Sequence, residues 1–229
     1  MRPPERFKFH STGDPWLSWH YITSHSHDIL TATQDHVILT LASVGLGVLF
    51  AVPLSALARR RSWLREVVLA LCNAVYAIPS LAFVIAMFKF FELSRLTVII
   101  PLAAYCQVIL VRNILTGLDE VSSEAVDAAR GMGFSPTRIF WRVRLPIAVP
   151  TIVAGLRIAV VSTIELVVIG GFIGQNGYGH YIFEGYRNSY HTELLTYLLM
   201  TIVLALIADF LILMAQRVLT PWRRGLGTT

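Results

Sequence analysis

Lysine is nearly absent from this chain of 229 residues: only Lys8 and Lys89 occur, and neither follows a G-x-x-x-x-G run. A phosphate-cradling loop of that type requires such a lysine. If the chain takes part in an ATP-driven process, the energy therefore comes from another chain. Neither H-E-x-x-H nor G-x-S-x-G is present, which leaves no motif support for a membrane protease or esterase. No catalytic residue is assigned. Cysteine is limited to Cys72 and Cys106, each inside an apolar run. That excludes a disulfide framework, provides no metal-ligand spacing, and favours plain core packing. Charge is scarce as well, at 14% of residues against about 25% in an ordinary soluble domain. The first 35 residues are polar and lack the basic start, short apolar stretch and cleavage site of a secretory leader. The first apolar segment is expected to act as its own insertion signal. His20, His25 and His27 fall in that polar stretch and are expected to be solvated rather than metal-binding.

What the chain has in abundance is apolar sequence, 55% of residues with a mean hydropathy of +0.62. Five segments are long enough for a bilayer core, which needs about 20 residues. They are Val37–Ala58, Val67–Phe91, Leu96–Leu115, Pro150–Ile173 and Leu194–Ala215. A lipid-exposed backbone must satisfy its own polar groups, so the expectation is an all-α integral membrane protein of about five spans. Pro79, in the sequence AIPS, is expected to kink the second span.

Arginine placement sets the expected orientation. Arg59, Arg60, Arg61, Arg65, Arg112, Arg130, Arg138, Arg142, Arg144, Arg157, Arg217, Arg223 and Arg224 fall on one side, thirteen in all. Arg2, Arg6, Lys8, Lys89, Arg95 and Arg187 fall on the other. The positive side is cytoplasmic, so the N-terminus is expected outside and the C-terminus inside. The organisation expected is an extracytoplasmic segment 1–35, a membrane domain 36–216 with a cytoplasmic loop 117–147, and a tail 217–229. The formal charge of +5 is read as topology, not as a nucleic-acid surface.

The cytoplasmic loop is the polar island in the chain. Ser122 or Ser123 can cap a helix beginning near Glu124. Gly131 and Gly133 are expected to interrupt it. Ser135 can cap a second helix with Pro136 in its first turn, and Pro146 is expected to end that helix. Ile139, Phe140, Trp141 and Val143 alternate there with Arg138, Arg142 and Arg144. That pattern fits a helix seated in a partner's groove and equally an amphipathic helix in the headgroup layer.

In this loop Asp127-Ala128-Ala129, then Gly133, then Val143-Arg144-Leu145-Pro146 resembles the E-A-A, Gly, I-x-L-P pattern of binding-protein-dependent ABC import permeases. Asp and Val replace Glu and Ile at unchanged spacing. The runs HVILTLASV, AIPSLA, VRNILTGL, LPIAVPTIVAGLRIA and GGFIGQNGYGHYIFEG resemble the osmoprotectant branch, whose solutes are glycine betaine, choline, carnitine or proline. The resemblance implies the type I importer fold and transport without catalysis by this chain. It also implies two ATPase subunits that bind ATP and Mg, a second permease subunit and an extracytoplasmic binding protein. By the same resemblance, Asp127, Ala128, Ala129, Gly133, Leu145 and Pro146 couple the permease to the ATPase. Phe140 and Trp141 are added as aromatic anchors, which dominate desolvated contacts. An amino-acid permease, methionine included, shares this loop. An ion-gradient-driven transporter using Glu165 is the reading from another class, and a membrane scaffold without transport is a third.

Inside the spans, Glu165 would cost roughly 2.5–3.5 kcal/mol at mid-depth, so it should face a partner or a pathway. Asp209 is expected to pair with Arg112 or Arg157. Asn73 and Gln107 are expected to make interhelix hydrogen bonds. Tyr76, Phe83, Phe88 and Tyr105 could form an aromatic cage for a quaternary ammonium, although packing is the ordinary role of such residues. Pro79, Tyr76 and Gly174 join Glu165 as candidate pathway or gate positions. The glycines from 170 to 179 permit an irregular outer segment near the gate or, alternatively, a plain outer loop.

Overall fold

The computed structural model describes residues 15–220. The expectations resting on Arg2, Arg6, Lys8, Arg223 and Arg224, and most of the proposed tail, lie outside them. Ten α-helices follow one another, with no strand among the described residues: α1 (Trp19–Ser24), α2 (Ser26–Ala58), α3 (Ser62–Tyr76), α4 (Ser80–Phe91), α5 (Leu96–Asp119), α6 (Ser123–Gly131), α7 (Pro136–Ile139), α8 (Leu145–Val167), α9 (Tyr178–Arg187) and α10 (His191–Leu219). A π-helical turn, Phe140–Arg144, joins α7 to α8, and a 3₁₀ segment, Val168–Ile173, extends α8.

Four helical runs are long and apolar enough to cross a bilayer: α2, α5, Pro136–Ile173 and α10. The second expected span requires correction. α3 and α4 meet at 90°, so Val67–Phe91 is a broken helix pair rather than one kinked rod. Pro79 is the N-cap of α4, with extended ψ of 128°, and donates no N–H. Ala77 N–H closes α3 on the Asn73 carbonyl, while the Tyr105 hydroxyl donates to the Ile78 carbonyl at 2.5 Å. The carbonyl released at the break thus acquires a partner on α5. The first helix extends beyond the apolar stretch: α2 starts at Ser26, with His27, Asp28 and Gln34 on the turns before Val37.

Two of the core clusters lie between the long helices, apart from a tyrosine-rich one of Tyr21, Ala32, Tyr178 and Tyr197. In one, Val44, Ala51 and Ala58 of α2 pack with Val68 and Cys72 of α3, Cys106 to Leu115 of α5, and Ala159 of α8. In the other, Leu39, Val84, Val98, Leu102 and Val167 converge. The Cβ that an alanine at Gly47 would add falls 2.8 Å from Cys106 Cβ, so α2 and α5 are in close contact. Gln107 spans that contact, its amide donating to the Gly47 carbonyl at 3.0 Å and to the Ala103 carbonyl at 2.8 Å. Asn73 accepts from Arg112 at 3.3 Å. Both polar residues therefore make the expected interhelix bonds.

Arg157 and Asp209 join α8 to α10 in a two-pronged ion pair, both N···O distances 2.8 Å. Of the two arginines considered, Arg157 is the partner. The fork geometry satisfies both carboxylate oxygens, which is what a charge far from bulk water requires.

Candidate coupling surface and gate segment

The island between α5 and α8 is built from its caps outward. Ser122 Oγ accepts from Ala125 N–H, opening α6. The Glu124 carboxyl is held below the usual carboxylate range, first by its own backbone N–H and then by the Ser122 hydroxyl. α6 runs through Gly131, so only Gly133 breaks it, at φ +77°. Gly133 N–H returns to the Arg130 carbonyl and Phe134 N–H to the Ala129 carbonyl, closing the helix in the left-handed manner that glycine permits. Ser135 Oγ then accepts from Arg138 N–H at 3.3 Å, with Pro136 in the first turn of α7.

Pro146 does not end this second helix, contrary to the local rule. Leu145 is helical, and its N–H reaches the Phe140 carbonyl, five residues back. A proline ring normally collides with the carbonyl four residues earlier. The wide π turn moves that ladder outward, so the chain passes from α7 into α8 without a stop.

The nominated coupling residues fall into three groups. Asp127, Ala128 and Gly133 are exposed, and Asp127 pairs with Arg130 at 3.0 Å on the surface. Phe140 and Trp141 are 36% and 62% exposed and pack on each other edge to face. Ala129 instead lies in a small core with Val126 and Ile139, and Leu145 and Pro146 are half-buried in the continuing helix. Met132, 67% exposed, extends the apolar surface beside Gly133. It was not anticipated, because a single methionine in a polar stretch carries no pattern.

At the other end of the bundle, α8 narrows into the 3₁₀ segment and the chain turns back through Gly174, at φ +85°, and Gly177, at φ +120°. The segment crosses the start of α9 backbone to backbone. A Cβ on Gly171 would lie 2.0 Å from Gly179 C, and one on Gly179 would lie 1.9 Å from Val168 O. No side chain fits there. The amide of Gln175 ties the turn to the Leu93 carbonyl at 2.6 Å.

Glu165 is exposed on α8. With Asp209, it lines an otherwise mainly apolar groove of about 700 Å³ between α8, α9 and α10. Tyr76, 54% exposed, lies at the end of α3 beside the Pro79 break. Tyr76 and Phe83 each meet Tyr105 edge to face with centroids 5.8 Å apart. Three of the four candidate cage aromatics therefore come together, packed against one another, and Phe88 does not join them. The pathway candidates do not form one cluster: Tyr76 and Pro79 sit at the break, Gly174 at the turn and Glu165 on the α8 face.

A bundle of four or five helical runs long and apolar enough to cross a bilayer, with an exposed aromatic cap at one end and a glycine-crossed reversal at the other, defines a polytopic membrane protein. Residues 43–225 match the model of the family described as binding-protein-dependent transport system inner membrane component, and the chain belongs to that family. Among curated relatives, it is 30% identical over 202 residues to the choline transport system permease protein OpuBB of Bacillus subtilis, covering 88% of this chain and 93% of that one. It is 32% identical over 211 residues to the osmoprotectant import permease protein OsmW of Salmonella typhimurium, covering 88% and 96%. Among solved structures, the inward-facing MetNI methionine ABC transporter superposes with a TM-score of 0.76 at 21% identity, over 86% of this chain and 98% of that one. That likeness confirms the type I importer fold. The protein is a multi-pass inner-membrane permease and not an enzyme.

Proposed function

We propose that this chain is the permease subunit of an importer for a quaternary-ammonium osmoprotectant: glycine betaine, choline, carnitine or the related solute proline. The similarity to choline and osmoprotectant permeases across nearly the whole chain carries the substrate class. The likeness to a methionine transporter concerns the fold and does not move that assignment. The partners are two ATPase subunits, which bind ATP and Mg, a second permease subunit, and an extracytoplasmic binding protein.

The island at 123–146 is the ATPase-docking surface on this reading. Exposed Phe140, Trp141 and Met132 supply the apolar knob, Asp127 and Ala128 its flank, Gly133 the bend, and Leu145 and Pro146 its junction with α8. Ala129 supports it from below. The arginines at 59–61, 65, 130, 138, 142 and 144 support a cytoplasmic position for this end, with the N-terminus outside. The segment 168–178 is then the outer end, and Glu165 faces the pathway or the second subunit rather than lipid.

The test is uptake into vesicles holding this permease with its ATPase and binding protein, with ATP supplied or withheld on the ATPase side. ATP-dependent betaine or choline uptake is expected. ATP-dependent uptake of methionine alone would overturn the substrate class. Uptake driven by an ion gradient without ATP would overturn the mechanism.

A further inference from the structure

His36 lies inside α2 and is fully buried. An imidazole within a membrane-crossing helix must have partners for both nitrogens, and here each partner comes from a different element. Nε2 lies 2.9 Å from the Ile164 carbonyl, a group that can only accept, so Nε2 carries the proton. Nδ1 is then the acceptor, and Tyr178 N–H, in the first turn of α9, points to it at 3.4 Å. The ring stacks on the Tyr178 ring with centroids 4.6 Å apart. The Tyr178 hydroxyl in turn meets Thr33 Oγ1 at 2.8 Å, one turn before His36.

The Ile164 carbonyl is available for a local reason. As α8 tightens toward the 3₁₀ segment, Val168 N–H turns to the Glu165 carbonyl, three residues back, rather than to Ile164. His36 therefore holds the point where α8 changes pitch and the point where the chain re-enters as α9. Between those points lies the turn through Gly174 and Gly177, and a Cβ on Gly177 would sit 3.5 Å from Nδ1.

We propose that His36 is a positioning residue for transport: it pins the segment 168–178 to α2, so that this end of the bundle cannot open without giving up both imidazole hydrogen bonds. The inference rests on the reading of that segment as the outer end. Leaving the Ile164 carbonyl and the Tyr178 N–H without partners in an apolar interior is unfavourable, so the pin favours the arrangement seen here, with this end held to α2, over one in which it is released. A ligand-induced opening must supply that difference, which is how a gate stays shut until the binding protein and ATPase act.

The experiment compares wild type with His36→Leu, His36→Asn and His36→Gln, each reconstituted with its ATPase and binding protein. The reading is solute imported per ATP hydrolysed. The ratio is taken on purified assembled complexes, so that neither unassembled ATPase nor loss of folded yield enters it. Asparagine can keep an acceptor near the Nδ1 position and glutamine a donor near Nε2, while leucine keeps neither. Leucine is expected to lower the ratio at least about fivefold, the shift that corresponds to about one net hydrogen bond, with asparagine and glutamine falling between leucine and wild type. If the leucine variant fails to assemble, asparagine and glutamine against wild type decide it. A wild-type ratio in every variant that assembles overturns the proposal, and so does an equal loss in all three, which would assign the effect to ring packing alone. Tyr186→Cys, exposed on α9, is labelled with an impermeant maleimide in parallel. Labelling from the ATPase side overturns the assignment of this end, and the gate with it, whatever the ratios.

Discussion

Gly131 and Gly133 allow the coupling island to be tested with one methyl group. Both are exposed, and a Cβ added at either meets nothing within 4 Å. The two sites differ in backbone conformation: Gly131 is the last residue of α6, whereas Gly133 sits at φ +77°. Alanine at 131 should favour the helix by about 0.5–1 kcal/mol. Alanine at 133 should cost about 1–2 kcal/mol, because an L side chain in the left-handed region meets its own carbonyl. Since α6 and α7 make only a small core with Val126, Ala129 and Ile139, that cost should appear as local rearrangement of the island rather than as global unfolding. If the ATPase binds the native bend, 1–2 kcal/mol is about a 5- to 30-fold weaker complex. The assay is affinity of the detergent-solubilised permease for its ATPase, read by titration, with thermal melting of the permease alone as control. Gly133→Ala should weaken binding with little change in melting, and Gly131→Ala should leave binding intact. Gly133→Asn should lie between, since asparagine tolerates the left-handed region. Equal binding for the two alanine variants would refute the argument, because their chemistry is identical and only φ separates them.

The backbone crossing at 171 and 179 should be far less forgiving: Gly171→Ala or Gly179→Ala, with atoms forced to about 2 Å, should cost more than about 3 kcal/mol, visible as loss of monodisperse protein. For the Arg157–Asp209 pair, about a third exposed, either single alanine should destabilise by about 1.5–3 kcal/mol, the range for hydrogen bonds to charged groups, and the double variant should recover part of that loss in a double-mutant cycle of melting data. Glu165→Gln should slow uptake at unchanged melting temperature if the carboxylate faces the pathway, and unchanged uptake would remove it from the pathway.

What the sequence made legible follows from how local each cause is. The caps at Ser122 and Ser135 depend on two or three neighbouring residues, and both form as expected. That Asp209 would pair with an arginine was legible because a charge at membrane depth has few solutions, while the choice of Arg157 over Arg112 needed the packing of α8 on α10. The position of the break at Pro79 was legible too, but its 90° angle was not: no local rule sets it, and the Ile78 carbonyl freed there is taken up by Tyr105 on another helix. Pro146 misled for the opposite reason. The local rule concerns an α-helix, and a π turn of ordinary-looking residues, Phe140–Arg144, changes the hydrogen-bond register just before it. His36 heads the run HVILTLASV, where nothing local marks its role. The available signal was a histidine inside a long apolar helix, and its two partners are 128 and 142 residues away, beyond the reach of any window.

The π turn has a mechanical consequence. Because the helix does not stop at Pro146, residues 136–173 form one rod of 38 residues, about 55 Å long at 1.5 Å per residue. Asp209 ties that rod at Arg157, and with this tie as fulcrum the arms run about 32 Å to Pro136 and about 24 Å to Ile173. Displacement of Phe140 by a moving partner would reach Ile173 with nearly the same size and the opposite sense, rather than being absorbed in a slack loop between them.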